Sequence, residues 1–260
     1  MNVMTGMIGR RLARFLTEPR PGQGLGLPTP RERLLGCLLP GDVLLVEGNN
    51  RIATAIKYLT QSTWSHSALY VGAHGAGRLA GGDHCFIEAD LVHGVRSVGF
   101  EEFEGLHTRI CRPVGLTEAE RRAVTGFAIA RIGDQYDLRN LIDLARYLLP
   151  LPPVPARLRR RMLELGSGDP TRAICSTLIA QAFQAIRYPV LPLVAYRPAA
   201  TPGDVDEVLR IRHHSLYAPR DFDVSPYFRI VKPSLEGSFD FRALTWDSST
   251  PPLQEAPVAE

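Results

Sequence analysis

Two short apolar runs, WSHSALYVG (64–72) and DHCFIEAD (83–90), flank a glycine-rich stretch, GAHGAGRLAGG (72–82). Strand-like runs separated by glycine punctuation predict an antiparallel hairpin, with strands over 66–72 and 83–89. Placing Gly72 opposite Gly82 makes opposed residue numbers sum to a constant, which sets His66 opposite Glu88. Directly opposed side chains share one face of the sheet, about 5 Å apart at Cβ. Glu88 is flanked by Phe86, Ile87 and Ala89. A carboxylate in so apolar a run either meets a partner or points to solvent from an edge strand.

The remaining chain reads as strands with helices at its two ends. PGDVLLVEG (40–48) is a turn followed by a buried strand, and NRIATAIKYLTQS (50–62) has apolar residues at helical spacing. VHGVRSVGFEEF (92–103) turns into a third region, and HTRICRPV (107–114) alternates as a strand. Residues 117–132 open with a capping box, Thr117 to Glu120, and predict a helix. Residues 134–149 read as a turn and a further helix, and TRAICSTLIAQAFQAI (171–186) as another. Residues 187–205 are Pro-rich and read as irregular; 201–222 hold a short helix and YFRIVKP (227–233) a late strand. This order predicts an α+β fold, an antiparallel sheet packed against the helix that carries Cys175.

With 260 residues, 45% of them hydrophobic, the chain can bury a substantial core. A net charge of +3, from 30 basic and 27 acidic residues, comes without the basic and aromatic pattern of a nucleic-acid binder. The four cysteines form no CxxC pair and no metal-type spacing with histidine, so neither a disulfide framework nor a metal site is expected, and no cofactor is implied. The N-terminal segment lacks the apolar core of a signal peptide, and no run of about 20 apolar residues occurs. A cytoplasmic protein is the expectation, with contact at the inner face of the membrane as the variant described below.

Catalysis by a thiol needs thiolate, and both a helix N-terminus and a neighbouring imidazolium lower a thiol pKa. Cys175 falls near the start of its helix, after Asp169, Pro170 and Thr171. It reads either as a nucleophile or as a small hydrophobe between helix and sheet. Of seven histidines, His74, His213 and His214 fall in loops or polar stretches, whereas His66 opens a strand between two serines. A third group should hold the imidazole in its tautomer, and Glu88 is the candidate.

The ordered set PGDVLLVEG, WSHSALYVG, FIEAD, GDQYD, ICSTLIAQAF and SPYFRIV resembles the circularly permuted branch of the NlpC-type papain-like cysteine hydrolases, the YiiX/YaeF-like proteins. In that branch the histidine strand precedes the cysteine helix, as it does here over roughly residues 36–232. The resemblance implies a permuted papain-like fold, with Cys175 as nucleophile, His66 as base, Glu88 as the residue orienting it and Tyr136 lining the site near the oxyanion. By its position alone Tyr136 reads equally as a residue packed under its loop. The chain departs from the usual peptidase pattern at Ile174-Cys175-Ser176-Thr177, where Asp-Cys-Ser-Gly is usual, and in its long insert between Tyr136 and Cys175.

The division expected is an N-terminal helix and linker (1–35), a catalytic domain (36–245) and a disordered tail (246–260). The activity expected is hydrolysis of amide or ester bonds in a small-molecule, peptide or lipid substrate. A lipid-directed acyltransferase or thioesterase, and a non-catalytic membrane-surface protein, are the alternatives. Met4, Ile8, Leu12, Phe15 and Leu16 share a helical face with Arg10, Arg11 and Arg14 largely off it. Residues 1–18 therefore either pack on the body of the protein or rest on an anionic membrane. Sedimentation with anionic liposomes separates the two: loss of binding on deleting residues 1–20 is the membrane outcome, and equal binding with and without them removes it.

Overall fold

The structure is a computed structural model that describes residue 18 and residues 28–72, 85–90, 93–135, 174–198, 205–236, 240 and 242. The N-terminal amphipathic segment, the glycine-rich loop, Tyr136, most of the 134–149 helix and the C-terminal tail lie outside the described residues.

The chain runs α1 (Arg31–Cys37), β1 (Val43–Glu47), α2 (Arg51–Thr60), β2 (His66–Tyr70), β3 (Phe86–Asp90), β4 (Gly94–Val98), a 3-10 turn (Phe100–Phe103), β5 (His107–Pro113) and α3 (Glu118–Ile129). After the insert come α4 (Ile174–Ala185), β6 (Leu193–Pro198), β7 (Val205–Arg210), a 3-10 turn (His214–Leu216), α5 (Pro219–Asp223), β8 (Phe228–Val231) and α6 (Pro233–Glu236). Six strands form one antiparallel sheet in the order β4-β3-β2-β1-β5-β8. The α+β class and the antiparallel sheet are as the sequence predicts.

Burial on both faces explains the unbroken VLLV of β1. It is a central strand, and all five of its residues are buried. Val43, Leu45, Leu69, Val71, Ile87 and Ala89 face one layer with Leu178, Ile179, Ala182 and Phe183 of α4. Leu44, Val46, Ala68, Phe86 and Ile110 face the other, with Leu34 of α1 and the phenylalanines of the first 3-10 turn. Helix α4 packs across β2 and β3 and against α3, which brings Cys175 to the strand that His66 opens.

Local chemistry fixes the helix starts. Asn50 Oδ1 accepts the Ala53 N–H at 2.7 Å at the head of α2. At α3 the capping box is present: Thr117 Oγ1 accepts the Glu120 N–H at 3.3 Å, and Glu120 Oε2 accepts the Thr117 N–H at 2.8 Å. Gly94, with φ +75, has a structural reason to be glycine. A Cβ there would lie 2.2 Å from the Asp134 carbonyl oxygen, the atom that accepts the Val95 N–H at 2.9 Å. This contact ties the turn after α3 to the start of β4.

Two expectations are corrected. Residues 187–205 are not irregular throughout: β6 pairs with β7 as a separate two-stranded sheet. Pro192 and Pro198 bracket the alternation of LVAYR and mask it. Residues 31–37, at the end of a Pro- and Gly-rich linker, form α1, which docks Leu34 into the second layer.

Phe183 is fully buried with Phe228 and Tyr188 at ring-centroid distances of 5.2 and 5.4 Å. Phe183→Ala should lower unfolding free energy by about 3–5 kcal/mol. The check is a fall in the denaturant midpoint at unchanged slope.

Candidate active site

His66 is the first residue of β2 and pairs with Val46 of β1. Its approach is anchored by Trp64, whose indole N–H donates to Asp223 Oδ2 at 3.0 Å. Arg109 donates to the same carboxylate at 2.7 Å, with its guanidinium 4.9 Å from the Trp64 ring centroid. Ser65 adds a further tie, its hydroxyl accepting the Gly48 N–H at 2.9 Å. The residues that lead into His66 are therefore tied to β5, to α5 and to the residue after β1.

The hairpin forms in a different register from the one expected. Leu69 pairs with Ile87 and Tyr70 with Phe86. Continued along the strands, this sets Glu88 opposite Ala68, and His66 lies two residues further on. Because side chains repeat every two residues, the offset leaves both on the same face. His66 Nε2 and Glu88 Oε2 meet diagonally at 2.7 Å. Glu88 does not point to solvent: its side chain is 3% exposed.

A second strand completes the carboxylate's surroundings. Arg96 is directly opposite Glu88 across β3 and β4. Its Nε donates to Glu88 Oε1 at 2.9 Å, and its Nη2 approaches the same oxygen at 2.7 Å. Nη2 also donates to Glu102 Oε1 at 2.8 Å. Burial alone would raise the Glu88 pKa, but the charges and hydrogen bonds of His66 and Arg96 outweigh it and hold the carboxyl below its ordinary value.

Cys175 is the second residue of α4 as described and is buried. Its sulfur lies 3.9 Å from the Ser176 hydroxyl, and His66 and Ser67 are near enough to act on it electrostatically. With Nε2 given to Glu88, Nδ1 is the ring nitrogen left for the sulfur. Burial pushes the thiol pKa up, and the His66 charge together with the polar groups of His66 and Ser67 more than reverses it, so the net shift is downward. For His66, burial lowers the pKa, while Cys175 and Glu88 raise it well above its ordinary value. Both shifts favour a thiolate–imidazolium pair.

Cys175, His66 and Glu88 thus come together, and Tyr136 lies outside the described residues. Three site residues escaped the sequence reading. Ser67 faces α4, and its hydroxyl lies 3.2 Å from that of Ser176. Both serines are fully buried. The third, Arg96, sits in the segment read only as a turn into a third region. Its signal was the alternation of GVRSV against FIEAD. Among the described residues, no group of three or more His, Cys, Asp or Glu side chains is placed to hold a metal ion. No helix among them is long and apolar enough to cross a membrane.

No family model matches the chain, and no curated protein matches it. Among solved structures, the chain is similar to the crystal structure of the metalloprotein yiiX from Escherichia coli O157:H7, DUF1105. That alignment has 14% identity and a TM-score of 0.43, covering 74% of this chain and 96% of the other. The likeness is too slight to place the chain in a family.

The electrostatics give a direct test. Iodoacetamide should alkylate Cys175 at about pH 6, where an ordinary thiol is nearly inert. His66→Ala leaves the sulfur buried without its cation. The rate at that pH should then fall by about a hundredfold, the equivalent of a two-unit rise in thiol pKa. An unchanged rate, followed by mass spectrometry of the Cys175 peptide, would show that the imidazole does not activate the sulfur.

Proposed function

We propose that the protein is a cysteine hydrolase of permuted papain-like architecture that cleaves amide or ester bonds through an acyl-enzyme. The observation that carries this reading is a buried thiol whose pKa is lowered by a neighbouring imidazole, one nitrogen of which is held by a buried carboxylate. The order of parts supports it: the histidine strand precedes the cysteine helix, and that helix packs on the sheet.

The Cys175 thiolate attacks the substrate carbonyl carbon, and the carbonyl π electrons move to oxygen. The backbone N–H of Cys175 serves as a donor for the oxyanion. Collapse of the tetrahedral species breaks the bond to the amine or alkoxide, which leaves with the proton from His66. A thioester remains on Cys175. Water then attacks it while His66 takes a water proton, and the second collapse releases the carboxylic acid and restores the ion pair. Glu88 stays ionised throughout, holding the ring so that Nδ1 faces the sulfur and offsetting the imidazolium charge.

The experiment is a panel of amide and ester substrates, including muropeptides and acyl lipids, assayed for acid release with trapping of the acyl-enzyme. Cys175→Ala should abolish turnover. Glu88→Gln should lower kcat by on the order of 10²–10⁴-fold with a smaller effect on KM. Turnover by Cys175→Ala equal to wild type would refute the proposal.

A further inference from the structure

Arg96 approaches a single oxygen of Glu88: Nε donates to Oε1 at 2.9 Å, and Nη2, which donates to Glu102, lies 2.7 Å from the same atom. The other oxygen, Oε2, is left to His66 Nε2 at 2.7 Å. A side-on pair that served only to neutralise the carboxylate would engage both oxygens, as forked Arg–carboxylate pairs often do. Here the two oxygens have separate duties, one to a permanent cation and one to the imidazole.

The charged groups around Glu88 come from each neighbouring element. His66 reaches it from β2 and Arg96 from β4, while Glu102, at the first 3-10 turn, is connected through Arg96. Asp90, on the same strand as Glu88, also acts on the Arg96 charge. The chain of groups runs thiol, imidazole, carboxylate, guanidinium, carboxylate, from the buried sulfur to the half-exposed Glu102 side chain.

We propose that Arg96 is a positioning residue of the candidate site, clamping Glu88 by one oxygen and keeping it ionised so that the other oxygen holds the His66 imidazolium. The inference rests on the cysteine–histidine reading above and deepens it. Arg96 stands on the far side of the carboxylate from the ring, so its repulsion of the imidazolium is screened by the charge between them. Its effect is exerted through Glu88. Without Arg96, a buried carboxylate has one cation instead of two and takes up a proton at higher pH. Once Glu88 is protonated, the imidazolium loses its support, and the thiolate loses its partner in turn.

The test is the pH dependence of the iodoacetamide rate at Cys175, measured on the full chain for wild type, Arg96→Met and Arg96→Lys, each checked for a cooperative melt. Arg96→Met should move the midpoint of the acid limb up by about one pH unit. Arg96→Lys keeps a charge but not the Nε donor to Oε1 and should shift it by about half as much. A purely structural role would lower the rate alike at every pH and leave the midpoint in place. Wild-type midpoints in both folded variants overturn the inference. If Arg96→Met fails to fold, Arg96→Lys decides alone, and an unshifted midpoint there overturns it. Wild-type Cys175 that resists labelling, or labels independently of His66, overturns the hydrolase reading and this inference together. Labelling that depends on His66 with no shift in the variants overturns this inference only.

Discussion

A carboxylate with 3% of its side chain exposed can remain ionised only if its lost hydration is replaced, and much of this protein's architecture serves that requirement at Glu88. Three adjacent strands must hold a common alignment for it. Strand β2 supplies His66 on the diagonal, and β4 supplies Arg96 directly opposite. The alignment of β4 depends in turn on Gly94, whose missing Cβ lets the Asp134 carbonyl reach the Val95 N–H. Pairing of β4 and the turn that leads toward Tyr136 are thereby parts of one arrangement. Helix α4 need only lay its first turn against the start of β2 for the sulfur to join the imidazole.

How much of this was readable follows from the periodicities involved. The strands of the hairpin were visible because their apolar runs end in glycine clusters. Their pairing was not, because a two-residue turn fixes register and a long glycine-rich loop does not. The assumed alignment was off by two residues, yet His66 and Glu88 still meet. A strand repeats every two residues, so a shift of two keeps both side chains on one face, whereas a shift of one would have parted them. No motif marks Arg96; the alternation of GVRSV makes it a strand residue, and only its alignment opposite Glu88 gives it a role. Helix α1 and the β6–β7 pair were hidden by the prolines and glycines around them, which signal breaks more strongly than seven- or six-residue elements signal order.

A second buried carboxylate shows what distinguishes the site. Glu47 pairs with His107 at 3.1 Å and with Lys57 at 3.3 Å, and its side chain is fully buried. The His107 ring lies 5.1 Å from that of Trp64. A buried carboxylate with a histidine and a cation is therefore not peculiar to the candidate site in this protein. At Glu47 the members join β1, α2 and β5 around the tryptophan that leads into β2. At Glu88 the histidine has a further neighbour, the Cys175 sulfur, on which Ser67 also acts. The sulfur, not the ion pair, distinguishes the candidate site from the Glu47 cluster.

Stability offers little reason for the Glu88 network to exist. Desolvating ions in an interior costs several kcal/mol each, and well-packed hydrophobic replacements of whole buried ion pairs are often neutral or stabilising. The surroundings of Glu88 could accommodate such a replacement, since Ala68, Phe86 and Phe103 already make that layer apolar. Removing one partner is different, because it leaves an uncompensated charge behind. A network that is expensive to assemble, fragile to single losses and dispensable to the core fits groups arranged around the ring they orient. On this argument the cost of burying Glu88 is recovered at the imidazole, where a fixed negative charge holds both the tautomer and the charge of His66 beside the thiol.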